Sequence, residues 1–187
     1  MRPLFLFLAF LLTLNVAAQD KAWHGDGPDD YLRFVPLASV YALKACGVES
    51  ASSWKRLAVN TAAAVILSSG TVYALKHTIH ERRPDGSDRY SFPSGHTSFA
   101  FAGATILHKE YRQLSPWISV AGFGVATFTG VDRVLRNRHH WGDVVAGAAI
   151  GVLGTELGYW IGDRITGDRS RYAVGVDANG VMVSIRF

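Results

Sequence analysis

Tyr90-Ser91-Phe92-Pro93-Ser94-Gly95-His96-Thr97-Ser98 stands between a polar, turn-rich loop (Pro84 to Arg89) and an uncharged run that continues to Leu107. The stretch predicts a helix opening. Proline is pre-set for a first helical turn. Ser and Thr hydroxyls cap free amides, and Gly95 lets a ligand approach the backbone closely. A helix start with unused N–H groups favours an anion, and this one carries a histidine. An ordinary capped helix with a solvent-facing His96 has the same local sequence, so the rest of the chain must decide.

Outward from that stretch the chain is apolar and poor in charge. Of its 187 residues 49% are hydrophobic and 18% charged, which suits one packed domain and excludes a disordered one. The net charge of +4 is modest, and the Arg and Lys lie near the ends of apolar runs. That placement points to phosphate or lipid head groups, not to a nucleic-acid face. No aromatic-plus-basic pattern of a nucleic-acid module is present. Cys46, the single cysteine, makes no internal disulfide and no thiolate metal site.

Residues 1–18 read as a signal peptide: Arg2, an apolar core from Leu4 to Val16, then Ala17-Ala18. The core is short of the roughly 20 residues a span needs; an uncleaved anchor is the alternative. Residues 19–30 are polar, with two glycines and a proline, and read as a loop. Residues 31–168 read as a helical bundle of about five helices, built from Tyr31 to Val48, Leu57 to Leu75, Phe92 to Leu107, Gln113 to Val131 and Val144 to Gly162. The second and fourth stretches are near spanning length and show no polar face, so a membrane-associated all-α bundle is expected over a soluble one. A mean hydropathy of +0.13 is low for a fully embedded chain. In the last stretch Gly147, Gly151, Gly154 and Gly158 form the small-residue pattern of closely packed membrane helices. Residues 169–187 change character: two alternating runs around Ala178-Asn179-Gly180 predict a β-hairpin.

The polar exceptions carry the chemistry. Lys76 follows the second stretch and Arg83-Pro84 comes seven residues later, on nearly one face if the helix continues to the proline. Arg133 follows the fourth stretch, with Asp132 beside it, and His139-His140-Trp141-Gly142-Asp143 opens the fifth. Separately, each reads as snorkelling charge or a capped connector. An up-and-down bundle, however, gathers the ends of helices two and four and the starts of three and five at one mouth. Three cations, a helix N-terminus and two histidines converge there, which suits a phosphate dianion.

Lys76 with Arg83-Pro84 (K-x6-R-P), Pro93-Ser94-Gly95-His96 (P-S-G-H), and Arg133, His139 and Asp143 (R-x5-H-x3-D) resemble the three-part signature of the type 2 phosphatidic acid phosphatase superfamily, which also holds bacterial acid phosphatases and vanadium haloperoxidases. The resemblance implies a metal-independent phosphatase with no cofactor. In it Lys76, Arg83, Arg133, Ser94 and the Gly95 amide bind the phosphoryl oxygens. His139 attacks phosphorus and carries a phosphohistidine, Asp143 holds the other ring nitrogen of His139, and His96 protonates the leaving group. The family usually has Ser just before the third-motif Arg. Asp132 stands there instead, and a carboxylate at that place is expected to pair with Arg133. His140 is off the motif spacing by one. His77 and His80 are at helical spacing for a metal pair but read as polar residues at the mouth of the site.

The expected substrate is a phosphorylated membrane lipid: phosphatidylglycerophosphate, undecaprenyl diphosphate, phosphatidic acid or lipid A. The alternatives are an acid phosphatase for soluble monoesters, or a non-catalytic membrane interaction protein with a relic site. If Tyr31 to Val48 enters the membrane after signal cleavage, the connectors with Lys55, Arg56, Lys109 and Arg112 lie inside. The site then faces the periplasm or exterior of the inner or cytoplasmic membrane.

Overall fold

The computed structural model describes residues 27–167 throughout and the backbone of two strands, 172–177 and 180–185. The signal peptide and most of the 19–30 segment lie outside the described residues. Six helices follow one another: α1 (Pro28–Leu32), α2 (Val35–Ala45), α3 (Trp54–Thr78), α4 (Gly95–Tyr111), α5 (Pro116–Leu135) and α6 (Trp141–Thr166). α1 is a single turn, so five helices make the bundle. Strands β1 (Tyr172–Asp177) and β2 (Gly180–Ile185) pair antiparallel, Tyr172 opposite Ile185 and Asp177 opposite Gly180.

Two boundaries differ from the sequence expectation. Residues 28–30 are helical, not loop, with Pro28 in the first turn and the Asp30 carboxylate accepting from the Gly27 amide at 3.1 Å. The 31–48 stretch is not one helix. It breaks at Arg33–Phe34, and a new helix opens with Pro36 in its first turn. Proline lacks the N–H that a continuous helix needs from its fifth residue on. The resulting α2, 11 residues long, rises about 16 Å, well short of a bilayer core of about 30 Å. By itself it is shorter than a span, but the segment still leads from the site end, where Asp29 and Asp30 meet Arg133 and His96, to the opposite end, where Lys44 meets Ser50 and Ser52.

Among the described residues three helices are long and apolar enough to cross a membrane: α3, α5 and α6, with 25, 20 and 26 residues. Their outward faces carry Ile66, Tyr73, Val120, Phe128, Val145, Leu153 and Leu157, all exposed. Trp117 and Trp141 at helix starts and Trp160 near a helix end are exposed too, as in the aromatic belts of membrane interfaces. α4 is different. Its face-to-face run of Ala, Gly and Thr buries eleven of its residues, and it packs against α2, α3, α5 and α6 as the inner helix.

α6 lies across both α4 and α3 on its glycine face. A Cβ at Gly151 would sit 2.3 Å from the Ser98 carbonyl of α4, and one at Gly158 would sit 2.5 Å from the Ala64 nitrogen of α3. Only hydrogen fits there. The largest apolar cluster joins Val40, Leu57, Ala64, Ile106, Leu107, Tyr111 and Tyr159 toward the end of the bundle where α3 begins and α4 and α6 end. At that end the buried Glu110 accepts from the Ser52 amide, the Ser52 hydroxyl and the Tyr159 hydroxyl at 2.7–2.9 Å. The opposite end holds the polar groups of the motifs.

Candidate active site

Helix ends deliver the side chains. Ser94 caps α4, accepting from the Thr97 amide at 3.4 Å, and its own amide donates to the Asp143 carbonyl at 3.0 Å. The cap thus ties the start of α4 to the start of α6. Pro93 precedes the cap, after a cis Phe92–Pro93 bond, and is not the first helical residue its sequence suggests. α3 stops at Thr78, so Lys76 and Arg83 do not share a helix face. Lys76 reaches the mouth from the last turn of α3, its Nζ donating to the Tyr90 carbonyl at 2.6 Å. Arg83 comes from the 79–94 loop, anchored by Asp88 at 2.8 Å and by the Arg138 carbonyl at 3.0 Å.

His139 is the buried centre, 2% exposed. Its Nδ1 lies 3.3 Å from Asp143 Oδ2 and its Nε2 lies 3.3 Å from Arg83 Nη1. The carboxylate accepts, so Nδ1 carries the proton and Nε2 presents its lone pair toward the Arg83 guanidinium. Burial pushes the His139 pKa down to about 4, against the Asp143 hydrogen bond and with the help of Arg83, Arg133 and Lys76. At neutral pH the ring is uncharged. The Asp143 carboxylate is held in turn by the Ser91 hydroxyl at 2.5 Å and the His140 amide at 2.9 Å.

His96 stands on the other side. Its Nε2 lies 2.7 Å from Asp30 Oδ1 and 3.0 Å from Arg33 Nη1. Burial lowers its pKa to about 4, and Arg133 and Arg33 add to the fall while Asp30 opposes it. Arg133 is buried and donates to Asp29 Oδ2 at 2.7 Å; Arg136 pairs with the other Asp29 oxygen. All eight sequence-chosen residues therefore gather at one mouth: Lys76, Arg83, Ser94, Gly95, His96, Arg133, His139 and Asp143.

With that geometry in hand, the chain was compared with known proteins. The PAP2 superfamily matches residues 57–166. The chain belongs to the PAP2 superfamily. A lipid A 1-phosphatase of Porphyromonas gingivalis is 43% identical over 175 residues, which cover 89% of this chain and 39% of that protein. Lipid phosphate phosphatase 1 of Arabidopsis thaliana is 39% identical over 74 residues, 34% of this chain and 23% of that one. This chain thus spans well under half the length of these curated relatives. The crystal structure of Aquifex aeolicus LpxE shares the fold, with a TM-score of 0.52 at 22% identity over 72% of this chain and 87% of that one.

The PAP2 match takes in all three motifs and stops short of α1. Asp29, Asp30, Arg33 and Ser91 are therefore the residues of the site that motif reading missed. Ser91 lies inside the stretch that opens α4, but no spacing marks it. The α1 residues come from more than sixty positions upstream of His96, and only packing brings them in. Asp132 does not pair with Arg133. Consecutive helix residues point about 100° apart, and Arg133 turns to Asp29 while Asp132 Oδ2 is buried without a partner.

A groove of about 410 Å³ opens beside Lys76, Gly95 and His96, and its far wall is Phe34, Val72, Tyr73 and Phe99. A Cβ at Gly95 would make only ordinary contacts with protein, 3.5 Å from Val72. Two groups place three ligand atoms near one another: Asp29, Asp30 and His96, and Glu81, His140 and Asp143. In each the buried carboxylate already serves donors of the chain: Asp29 serves Arg133 and Arg136, and Asp143 serves the Ser91 hydroxyl, the His140 amide and the His139 ring. His77 bonds the Tyr73 carbonyl at 2.8 Å and stacks between Tyr73 and Tyr90.

Proposed function

We propose that this PAP2 chain hydrolyses a phosphate monoester or diphosphate on a membrane lipid, without a metal, through a phosphohistidine on His139. The observation that carries the reading is the setting of the His139 ring: Nδ1 faces the Asp143 carboxylate at 3.3 Å, which leaves Nε2 with its lone pair toward the Arg83 guanidinium that would hold the phosphoryl group. Nε2 attacks phosphorus as the bond to the leaving oxygen breaks, and that oxygen takes a proton from His96. Water then attacks the phosphohistidine, gives its proton to His96, and releases phosphate. Lys76, Arg83, Arg133, the Ser94 hydroxyl and the Gly95 amide neutralise the phosphoryl oxygens. Donors of this kind are each worth roughly a hundred- to a thousandfold in rate.

The groove supports a lipid substrate over a soluble ester, because its lining joins Arg33, Lys76 and His96 to Phe34, Val72, Tyr73 and Phe99. The named relatives, a lipid A 1-phosphatase and a lipid phosphate phosphatase, agree with that class. We place the site at the periplasmic or outer face of the inner or cytoplasmic membrane. Lys55, Arg56, Lys109 and Arg112 cluster at the other end, and basic loops stay inside.

The purified chain in detergent is assayed for phosphate release from phosphatidylglycerophosphate, undecaprenyl diphosphate, phosphatidic acid and lipid A, against p-nitrophenyl phosphate. Release from at least one lipid should exceed that from the soluble ester, persist in a chelator, and vanish in His139→Ala. Undiminished release by His139→Ala, or release from the soluble ester alone, contradicts the reading.

A further inference from the structure

Two side chains of the first helical turns meet one ring nitrogen. Asp30 Oδ1 lies 2.7 Å from His96 Nε2, and Arg33 Nη1 lies 3.0 Å from the same atom. Both contacts cannot be hydrogen bonds at once. A guanidinium only donates and an ionised carboxylate only accepts. With a lone pair on Nε2 the ring accepts from Arg33; with a proton on Nε2 it donates to Asp30. The two partners thus stand for Nε2 without and with a proton.

The other charges around His96 leave this competition to Asp30 and Arg33. From α1, Asp29 Oδ2 lies 3.9 Å from Nε2, but its two oxygens already serve Arg133 and Arg136. From α5, Arg133 opposes a charged ring. Lys76 of α3 lines the same groove. Asp30 is therefore the carboxylate left to support an imidazolium. The contact is partly sheltered, with the His96 and Asp30 side chains 19% and 30% exposed. Arg33 has a further property: its Nε is buried without a partner while the side chain lines the groove beside Lys76, Gly95 and His96.

We propose that Asp30 and Arg33 are positioning residues that set the proton on His96: Arg33 holds the ring neutral in the empty site, and a bound phosphate dianion draws Arg33 away and leaves Nε2–H to Asp30. The inference rests on the reading of His96 as the proton donor. It completes that step without a new reactant. Both contacts fall on Nε2, so Nδ1 is the nitrogen that gives its proton to the leaving oxygen. The ring then keeps Nε2–H against Asp30, and Nδ1 offers a lone pair for the proton of the attacking water. Substrate binding and the charging of the acid become one event. Neither residue lies in the three motifs or in the family match.

The test follows the His96 ring by NMR titration of histidine-labelled full chain in detergent, its signal assigned by loss in His96→Gln. Asp30→Asn should lower the His96 pKa by about one unit and Arg33→Gln should raise it by about as much. Saturating inorganic phosphate should raise it in the wild-type chain, and less in Arg33→Gln. In turnover, Asp30→Asn should lose on the order of 100-fold with an alkyl phosphate, whose leaving oxygen needs a proton. It should lose far less with p-nitrophenyl phosphate, and Asp30→Glu should recover part of the loss. Shifts of the same sign in both variants, no shift, or equal losses on both esters overturn the proposal. If no ester is cleaved by the wild-type chain while the opposite shifts persist, the lipid phosphatase reading falls and the Asp30–Arg33 competition stands. Active wild-type chain without the shifts is the reverse result.

Discussion

His139 and His140 are neighbours in unlike surroundings. His139 is sealed between Asp143 and Arg83, whereas the His140 side chain is 47% exposed and faces Glu81 at 3.2 Å. His139→Ala should abolish turnover, and His140→Ala should keep most of it; phosphate release by the two variants checks the assignment. The pH dependence follows from the same burial. A lowered histidine pKa means the charged form is lost at lower pH, so His139 is neutral, as the proposed nucleophile must be, at every pH above about 4. The acid limb of kcat/KM should therefore fall below pH 5, well under the ordinary histidine value of about 6.5. In the proposed scheme His96 is protonated, and its pKa of about 4 in the empty site makes the alkaline limb fall as pH rises. A dianion beside the ring raises that pKa, so the kcat limb should lie at higher pH than the kcat/KM limb. Rates measured from pH 3.5 to 8 decide this, and a flat profile contradicts the two-histidine scheme.

Among the elements, α6 depends on close backbone approach. A Cβ at Gly147 would lie 2.5 Å from the carbonyl of Ser94, the residue that caps α4 at the site. Gly147→Ala should cost about 1–3 kcal/mol by overpacking and lower kcat as well, because the cap moves with the helix. Gly151→Ala strains the same pair of helices against the Ser98 carbonyl, one turn further from the site. It should lower the Tm with less effect on kcat. Gly124→Ala on α5 meets nothing within 4 Å and should leave both unchanged or raise the Tm slightly. Thermal melts and turnover of the three variants in one detergent separate packing from catalysis.

At the scale of the molecule the two ends have divided roles. One end gathers cations and histidines where α3 and α5 finish and α4 and α6 begin. The other is closed by Glu110, which joins Ser52 before α3 to Tyr159 of α6. Glu110→Ala leaves two buried hydroxyls and a buried amide without their acceptor and should cost about 2–3 kcal/mol. The KM for the lipid substrate should not move, since the clamp lies at the pole opposite the groove. A large change in KM with an unchanged Tm would contradict this division.

The five-helix bundle, the apolar stretches α3 and α5, and the motif residues from Lys76 to Asp143 are all legible in the amino-acid sequence, because apolar runs of spanning length and fixed spacings between cations and histidines are local properties of a chain. Topology alone then brings those motifs to one mouth. What packing decided is the part that local pattern does not encode. The 31–48 stretch breaks ahead of a short helix because Pro36 forces a new start, and the α1 turn before the break carries Asp29 and Asp30, with Arg33 just after it, onto Arg133 and His96. An ion pair between Asp29 and Arg133, 104 positions apart, leaves no periodicity to read. Its partners are chosen by which buried charges lack a counter-charge once the helices have packed.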